Sequence, residues 1–344
     1  MIHKKIIIGL CALAALLLFL EIYFIFFYHN ASFCNDGTAY NSCSNAKPYF
    51  CINGSLMEKA SACGCSNSSE INSDSCVSKY QTEPKDITLS YTLRGEEKEI
   101  IFTAYSGLYS YLSAIPHYIS ANENPVLLDF KLRSINEEKQ KELLMPLVIQ
   151  IENAAKSKED QARIAISIVQ NIPFGSSNKT IQIGGIKTPY QRYPYEVLYN
   201  MSGICSEKSE LLFFLLREIG YGTASLYYTA ENHEAVGIKC PADRSVNNSG
   251  YCFVETTGPS IITDDQTEYI GIASELSSVP NVIEISDGIS LGNNLYEYDD
   301  AKSLIKIREK AKKNDGVINY LQHIQFERLQ KKYGLISFGF YKFT

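Results

Sequence analysis

Residues 202–220, with the sequence SGICSEKSELLFFLLREIG, predict a turn of small residues that leads directly into a buried helix. The unbroken apolar run 211–216 gives the helix almost no polar face, so we expect it to lie in the protein core. Gly220 follows the last apolar turn, as expected at a helix C-terminus, because glycine adopts the left-handed conformation without steric cost. Cys205 therefore stands in or just before the first turn of a core helix.

The start of this helix suits Cys205 to thiolate chemistry. The first backbone N–H groups of a helix have no partner within it, and the positive end of the helix dipole stabilises a thiolate. The same groups can hold an oxyanion, with the backbone amide of Cys205 as the natural donor. A lone cysteine is more often a small buried apolar residue, but this position makes Cys205 a candidate nucleophile.

The remaining cysteines can be accounted for without Cys205. Cys11 lies in an apolar N-terminal stretch, and Cys240 and Cys252 flank a polar loop between two predicted strands, where they can pair. An even set of six near the N-terminus indicates a disulfide framework and an oxidising compartment, although the pairing is not determined. Zinc is the rival interpretation, but no histidine lies between residues 30 and 80. The six are Cys34, Cys43, Cys51, Cys63, Cys65 and Cys76.

The N-terminus predicts a membrane anchor over residues 6–28, a stretch long enough to span a bilayer at about 1.5 Å per residue. Lys4 and Lys5 precede it, which favours a cytoplasmic N-terminus and an extracellular remainder. A signal peptide cleaved after Ala31 or Ser32 is the alternative. Asn-x-Ser/Thr sequons on the predicted outer side permit glycosylation: Asn30, Asn53, Asn67, Asn178, Asn200 and Asn247.

Composition narrows the class of protein. The chain has 344 residues and 45% hydrophobic residues, enough for a sizeable core. A formal net charge of -6 argues against a nucleic-acid partner, which requires clustered basic residues. No cofactor and no metal site are expected.

Local patterns predict the elements around Cys205. Residues 87–105 alternate as a β-hairpin, and residues 134–137 form a capping box that opens one helix, which Pro146 interrupts. Residues 157–160 begin another helix, and residues 175–199 are expected to be a long irregular loop. Three strands are expected after the Cys205 helix, at 223–228, 234–239 and 251–256.

A thiolate needs a general base, and the predicted outer part of the protein offers His117, His233 and His323. His233 opens a strand after the length of chain needed to finish the helix, form one strand and turn back. Glu255, on the following strand, would then orient the imidazole.

The order of these pieces resembles the transglutaminase-like superfamily, which shares a papain-like core. The resemblance covers about residues 155–262 and rests on five segments in one order: 194–199 (PYEVLY), 203–212 (GICSEKSELL), 217–221 (REIGY), 232–236 (NHEAV) and 253–259 (FVETTGP).

The resemblance implies that Cys205 is the nucleophile, His233 the acid-base and Glu255 the third member. Three features depart from the family. Aspartate is usual where Glu255 stands, and Asp264 is an alternative; Ala235 replaces a frequent tryptophan; and the loop between the cysteines at 240 and 252 is long.

The expected fold class is α+β, with a nucleophile helix packed on an antiparallel sheet, preceded by a transmembrane helix and a small disulfide-rich module. The expected boundaries are 1–5 cytoplasmic, 6–28 anchor, 29–82 Cys-rich module, 86–298 transglutaminase-like domain and 299–344 C-terminal helical segment.

The expected activity is acyl transfer on a peptide or amide substrate. Hydrolysis by a peptidase or amidase is favoured over cross-linking, because no EF-hand calcium loop is present. The alternatives are a non-catalytic surface module that binds peptide or glycan, with Cys205 buried or disulfide-bonded, and a stalk that assembles through the Cys-rich segment. The oligomeric state is not predicted.

Overall fold

The computed structural model describes residues 33–66, 69–115, 119, 124–183, 186–266, 276–335 and 342–343. The protein divides into two compact units between Val77 and Ser78. The predicted anchor, residues 6–28, lies outside the described residues. Within the described residues, no helix is both long enough and apolar enough to cross a bilayer.

The N-terminal unit is a small disulfide-linked module. Its pairs, Cys34–Cys51, Cys43–Cys63 and Cys65–Cys76, confirm the predicted disulfides. A unit this small has little core, so its cross-links stabilise it largely by constraining the unfolded chain. Its elements are β1 (Tyr49–Ile52) paired with β2 (Ser55–Glu58), α1 (Ala60–Cys63), and β3 (Glu70–Asn72) paired with β4 (Ser75–Val77).

The larger unit begins with the predicted hairpin, formed by β5 (Pro84–Leu93) and β6 (Glu96–Tyr105). Arg94 and Gly95 both have positive φ at its turn, which suits the right-handed twist of a two-residue hairpin. Four helices and a second hairpin follow: α2 (Ser106–Ala114), α3 (Leu127–Ile135), α4 (Glu138–Ala154), α5 (Lys158–Asn171), β7 (Thr180–Ile183) and β8 (Ile186–Pro189).

The core helix is α7 (Cys205–Ile219), preceded by the short α6 (Pro194–Asn200). Residues 211–216 are completely buried, and Gly220 ends the helix in the left-handed conformation with φ 112°. Both features confirm the expectation drawn from the apolar run.

A four-stranded antiparallel sheet supports α7, with strand order β11-β10-β9-β12. The strands are β9 (Thr223–Tyr228), β10 (His233–Lys239), β11 (Tyr251–Val254) and β12 (Asn281–Ser286). Helix α7 packs against β10 in the central core, so the start of the helix and the start of the strand are brought to one end of the sheet.

Two helices follow the sheet, and the break between them contains Asn314, Asp315 and Gly316. Asp315 and Gly316 both have positive φ. The elements are α8 (Tyr296–Lys313), β13 (Val317–Ile318), α9 (Tyr320–Tyr333) and β14 (Lys342–Phe343), with β13 and β14 parallel. The described residues thus form a mixed α and β protein.

Three local predictions were wrong. Ser134 does not cap a helix: it lies inside α3, while Glu137 is the N-cap of α4 and accepts from the N–H of Gln140 at 2.7 Å. Pro146 lies inside an unbroken α4. The irregular loop expected at 175–199 contains β7, β8 and α6, and β12 had not been expected.

Candidate active site

Cys205 is the first residue of α7 and is held there by a closely packed turn. The N–H of Gly203 donates to the carbonyl of Pro173 at 3.3 Å, and the N–H of Gly175 donates to that of Gly203 at 3.1 Å. A Cβ at position 203 would come within 3.0 Å of Lys208 Cγ and 3.2 Å of Val197, so a side chain would displace its neighbours. Glycine at 203 therefore allows the turn to pack under the nucleophile.

The backbone of this turn leaves a donor free. The N–H of Ile204 donates to Oε2 of Glu207 at 3.0 Å, and the N–H of Lys208 begins the helical ladder by donating to Ile204 O. The N–H of Cys205 makes no hydrogen bond to any described residue. It lies beside the sulfur at the positive end of the helix, where it suits an oxyanion.

His233 is the first residue of β10, opposite Tyr228 on β9. Its ring is 2% exposed, and its Nε2 lies 2.9 Å from Oε2 of Glu255. The side chain of Cys205 also acts on the ring, since interaction with it raises the pKa of His233. Because Nε2 faces Glu255, Nδ1 is the nitrogen available to the sulfur.

Glu255 follows the last residue of β11 and is completely buried. The predicted strand 251–256 ends two residues early, and this break turns the next two N–H groups back onto the carboxylate. The N–H of Thr256 and both the N–H and Oγ1 of Thr257 donate to Oε1 at 2.8–2.9 Å, leaving Oε2 for His233. A glutamate thus occupies this position with both oxygens bonded.

The three side chains interact electrostatically, and this sets the charge of His233 and Glu255. Burial alone lowers the pKa of His233, but its interactions with Cys205 and Glu255 outweigh this effect and raise the pKa to about 9. Burial alone would raise the pKa of Glu255, but the hydrogen bonds from His233 and Thr257 lower it overall. At neutral pH, the pair is therefore an imidazolium held by a carboxylate.

Cys205 is unpaired and partly exposed, whereas the other cysteines among the described residues are in disulfides. The predicted Cys240–Cys252 pair is confirmed, and it closes the long loop between β10 and β11. The long loop leaves the pairing of β10 with β11 intact, with Val236 opposite Val254. The added residues therefore do not separate His233 from Glu255.

The other candidates lie elsewhere. Asp264 is buried in an ion pair with Arg308, so it does not take the place of Glu255. His323 lies on α9 beside Glu327, with 3.1 Å between Nε2 and Oε1. His117 is outside the described residues. Among the described residues, no group of His, Cys, Asp or Glu side chains is arranged to hold a metal ion.

Buried charges that the sequence did not indicate surround the site. Lys131 of α3 contacts Oε1 of Glu234 at 2.6 Å, and both side chains are almost completely buried. Arg192 pairs with Glu207 at 2.8 Å. Glu210 accepts from the side chains of Ser134 and Gln191, and among the described residues no cation is hydrogen-bonded to it. Burial raises its pKa to about 8.

The sequence did contain a local indication of the position of one of these charged residues, Glu207. Glu207 stands three residues after Ile204, the spacing at which a first-turn glutamate reaches back to the N-cap N–H. The Lys131–Glu234 pair had no local signal, because its members are 103 residues apart.

Comparisons with known proteins give two structural likenesses. No protein-family model matches the sequence, and no curated protein matches it. Calcium-bound LapG of Legionella pneumophila is similar at 13% identity and a TM-score of 0.26, over 52% of this chain and 99% of that chain. A second LapG structure is similar at 13% identity and a TM-score of 0.23, over 38% and 73%. TM-scores below 0.5 do not establish a shared fold.

Proposed function

We propose that this protein is a cysteine-dependent hydrolase of peptide or amide bonds, with Cys205 as nucleophile, His233 as acid-base and Glu255 as the residue that orients His233. One observation carries the proposal: the unpaired, partly exposed thiol at the start of α7 interacts with the ring of His233, which the buried carboxylate of Glu255 holds through Nε2 at 2.9 Å. A cysteine that only fills space in the core does not require a histidine and a buried carboxylate beside it.

The chemistry follows from the roles of these groups. The cycle starts with the Cys205 thiolate beside the His233 imidazolium, and the thiolate attacks the substrate carbonyl carbon, forming a C–S bond. The carbonyl oxygen becomes an oxyanion, which the N–H of Cys205 binds. The C–N bond then breaks as His233 gives its proton to the leaving amine, and a thioester remains on Cys205.

Water completes the turnover. The neutral imidazole takes a proton from water, the hydroxide attacks the thioester, and the acid leaves while the thiolate is regenerated. Glu255 stabilises the imidazolium in both halves of the cycle and fixes the orientation of the ring.

We further propose a papain-like, transglutaminase-like core for residues 155–262. This proposal is supported by the observed order of a nucleophile helix, a strand that begins with the histidine, and an acid just after the next strand. The binding-module alternative required Cys205 to be buried or disulfide-bonded, and it is neither.

The first test is alkylation of the folded protein by iodoacetamide, followed by intact mass between pH 5 and 10. We expect Cys205 to react at pH 6 about 10-fold or more faster than glutathione, because the start of α7 and the neighbouring His233 ring would activate its sulfur as a nucleophile. Cys205→Ala is the control that assigns the label. Reaction no faster than glutathione at pH 6 would contradict an activated nucleophile.

The second test separates hydrolysis from cross-linking. The protein is incubated with N-acetylated peptide mixtures and a glutamine-rich protein in ¹⁸O-labelled water, with monodansylcadaverine present. Hydrolysis places one ¹⁸O in the new carboxylate, whereas amine transfer makes the glutamine protein fluorescent. We expect ¹⁸O incorporation that depends on Cys205; fluorescence alone would identify a transferase.

We also propose that the protein is held at the outer face of the cell membrane by residues 6–28, with its N-terminus in the cytoplasm and its sequons open to glycosylation on the outer side. The four disulfides support an oxidising compartment. Carbonate extraction of membranes tests the anchor, and protease treatment of intact cells tests its orientation. Release by carbonate, or protection of the folded units in intact cells, would contradict this placement.

A further inference from the structure

Arg192 is fixed at the edge of the candidate site through one side of its guanidinium. Its Nη1 donates to Oε2 of Glu207 at 2.8 Å and to the carbonyl of Gly175 at 3.0 Å. Its backbone N–H donates to Oε1 of Glu207 at 2.8 Å. One carboxylate therefore holds both the backbone and the guanidinium of Arg192.

The same carboxylate holds the turn that precedes the nucleophile. Oε2 of Glu207 accepts from the N–H of Ile204 as well as from Arg192. Gly175, the second acceptor of Arg192, donates to the carbonyl of Gly203 in that turn. Arg192 and Ile204, the residue before Cys205, therefore donate to the same acceptor, Oε2 of Glu207.

The opposite edge of the guanidinium has no such partner. Nε and Nη2 make no hydrogen bond to the described residues. Neither Nε nor Nη2 is among the fully buried polar atoms that lack a partner. This edge therefore reaches solvent, although Arg192 as a whole is only 8% exposed. Water can pair with these two donors, and a ligand with matching acceptors can take the place of that water.

That edge presents two parallel N–H donors, the arrangement that a carboxylate accepts with both oxygens. Glu207 already balances the charge of Arg192, so the pair exerts little long-range attraction. Arg192 would therefore contribute to ligand binding mainly through direct hydrogen bonds. This favours a ligand group that contacts both Nε and Nη2 of the guanidinium.

We propose that Arg192 is a substrate-binding residue that receives a carboxylate of the substrate next to the bond that Cys205 attacks. This inference rests on the proposed function, since it assigns a substrate class to that site. An acidic residue within a peptide and the C-terminal carboxylate of a peptide offer the same chemistry, and the experiment below distinguishes them.

The first arm compares two reagents of similar size that attack the same sulfur, iodoacetate and neutral iodoacetamide. The ratio of their rate constants cancels any change in the nucleophilicity of Cys205. We expect this ratio to fall about tenfold when Arg192 is removed, since a charge-assisted bidentate contact is lost. An unchanged ratio overturns the proposal.

The variant is Arg192→Gln combined with Glu207→Gln, because Arg192→Gln alone would leave a buried carboxylate unpaired. The double variant removes one charge of each sign, so the net charge of the site is preserved. Arg192→Lys is a second, more conservative variant, which keeps the ion pair but lacks the fork. We expect it to lower the ratio too, and a wild-type ratio in this folded variant overturns the proposal.

The second arm identifies the source of the carboxylate. N-acetyl-alanine carries only an α-carboxylate, N-acetyl-glutamic α-amide only a γ-carboxylate, and N-acetyl-alaninamide neither. Each is tested as a protector of Cys205 against iodoacetamide. Protection by either acid above that by the amide supports the proposal and names the source; protection equal to that of the amide overturns it.

A third measurement does not depend on Cys205 chemistry. The Nε–H signal of Arg192, assigned by its loss in Arg192→Lys, is followed by NMR as N-acetyl-alanine or N-acetyl-glutamic α-amide is added. A shift with an unreactive Cys205 would refute the hydrolase and retain the carboxylate site. A reactive Cys205 with no shift for either acid would refute the carboxylate site and retain the hydrolase.

Discussion

Thr257 donates both its backbone N–H and its hydroxyl to one oxygen of Glu255, each at 2.8 Å. The other oxygen contacts Nε2 of His233. The carboxylate therefore binds the two threonines that follow it in sequence through one oxygen and the His233 ring through the other. The length of the glutamate side chain lets the carboxylate contact both partners from a position just beyond β11.

The first prediction concerns the length of this side chain. Glu255→Asp should be unable to satisfy Thr257 and His233 together, whereas Glu255→Gln keeps the length and loses the charge. We expect both variants to slow alkylation of Cys205 at pH 6, by about 10- to 100-fold for Glu255→Gln, because the imidazolium loses its counter-charge. Rates of alkylation by iodoacetamide measure this.

The matched control is Thr257→Val, which removes one hydroxyl donor but keeps the N–H contact and the carboxylate. We expect a smaller loss there than in Glu255→Gln. Wild-type reactivity in a folded Glu255→Gln variant would contradict the role given to this residue.

The second prediction concerns the buried Lys131–Glu234 pair behind the site. Lys131→Met leaves the Glu234 carboxylate buried without its cation, so we expect the free energy of unfolding to fall by about 3–5 kcal/mol. Lys131→Met with Glu234→Gln should recover most of that loss, because no uncompensated charge remains. Urea unfolding of both variants measures the difference; additive losses would show that the residues do not act as a pair.

The sequence predicts those elements that a few adjacent residues define, and it predicts poorly the contacts between residues far apart in the chain. The α7 helix, its Gly220 end, and the strand that begins at His233 were predicted because a few adjacent residues define them. The β7–β8 hairpin was missed although Gly184-Gly185 between isoleucine-containing runs is a two-residue turn signal.

The buried charges could not be predicted in this way. Lys131 and Glu234 come from a helix and a strand far apart in the sequence, and each alone looks like a solvent-exposed residue. Only the packing of α3 over the sheet removes both from water. Likewise, nothing near Glu255 in sequence shows that β11 ends early enough to turn Thr256 and Thr257 onto it.

The third prediction concerns Glu210, whose pKa burial raises from 4.5 to about 8. A folded pKa above the unfolded value means that this group favours the fold at low pH, and that the benefit is lost as pH rises from about 4.5 to 8. Glu210→Gln removes this loss, since its amide has no charge to bury. We expect the variant to be more stable than wild type by roughly 1–3 kcal/mol at pH 8 and by little at pH 4.

Urea unfolding at pH 4, 6 and 8 checks this trend. Glu218→Gln is the control, because that carboxylate lies on the same helix in pairs with Lys141 and Arg217 that solvent partly screens. A stability gain that does not depend on pH would contradict a protonated Glu210.

The last prediction concerns His233, whose pKa is raised from 6.5 to about 9. The contribution of this charged ring to stability is therefore fully present below about pH 6.5 and is lost as pH rises to about 9. His233→Gln cannot gain this proton, so wild type should exceed it in stability by up to about 3 kcal/mol near pH 6, and the gap should close toward pH 9.5. Urea unfolding across this range, with ¹³C-labelled histidine to follow the ring directly, tests both statements. A ring that titrates near pH 6.5 would remove the imidazolium from the proposed mechanism at neutral pH, because Cys205 would then have no charged partner.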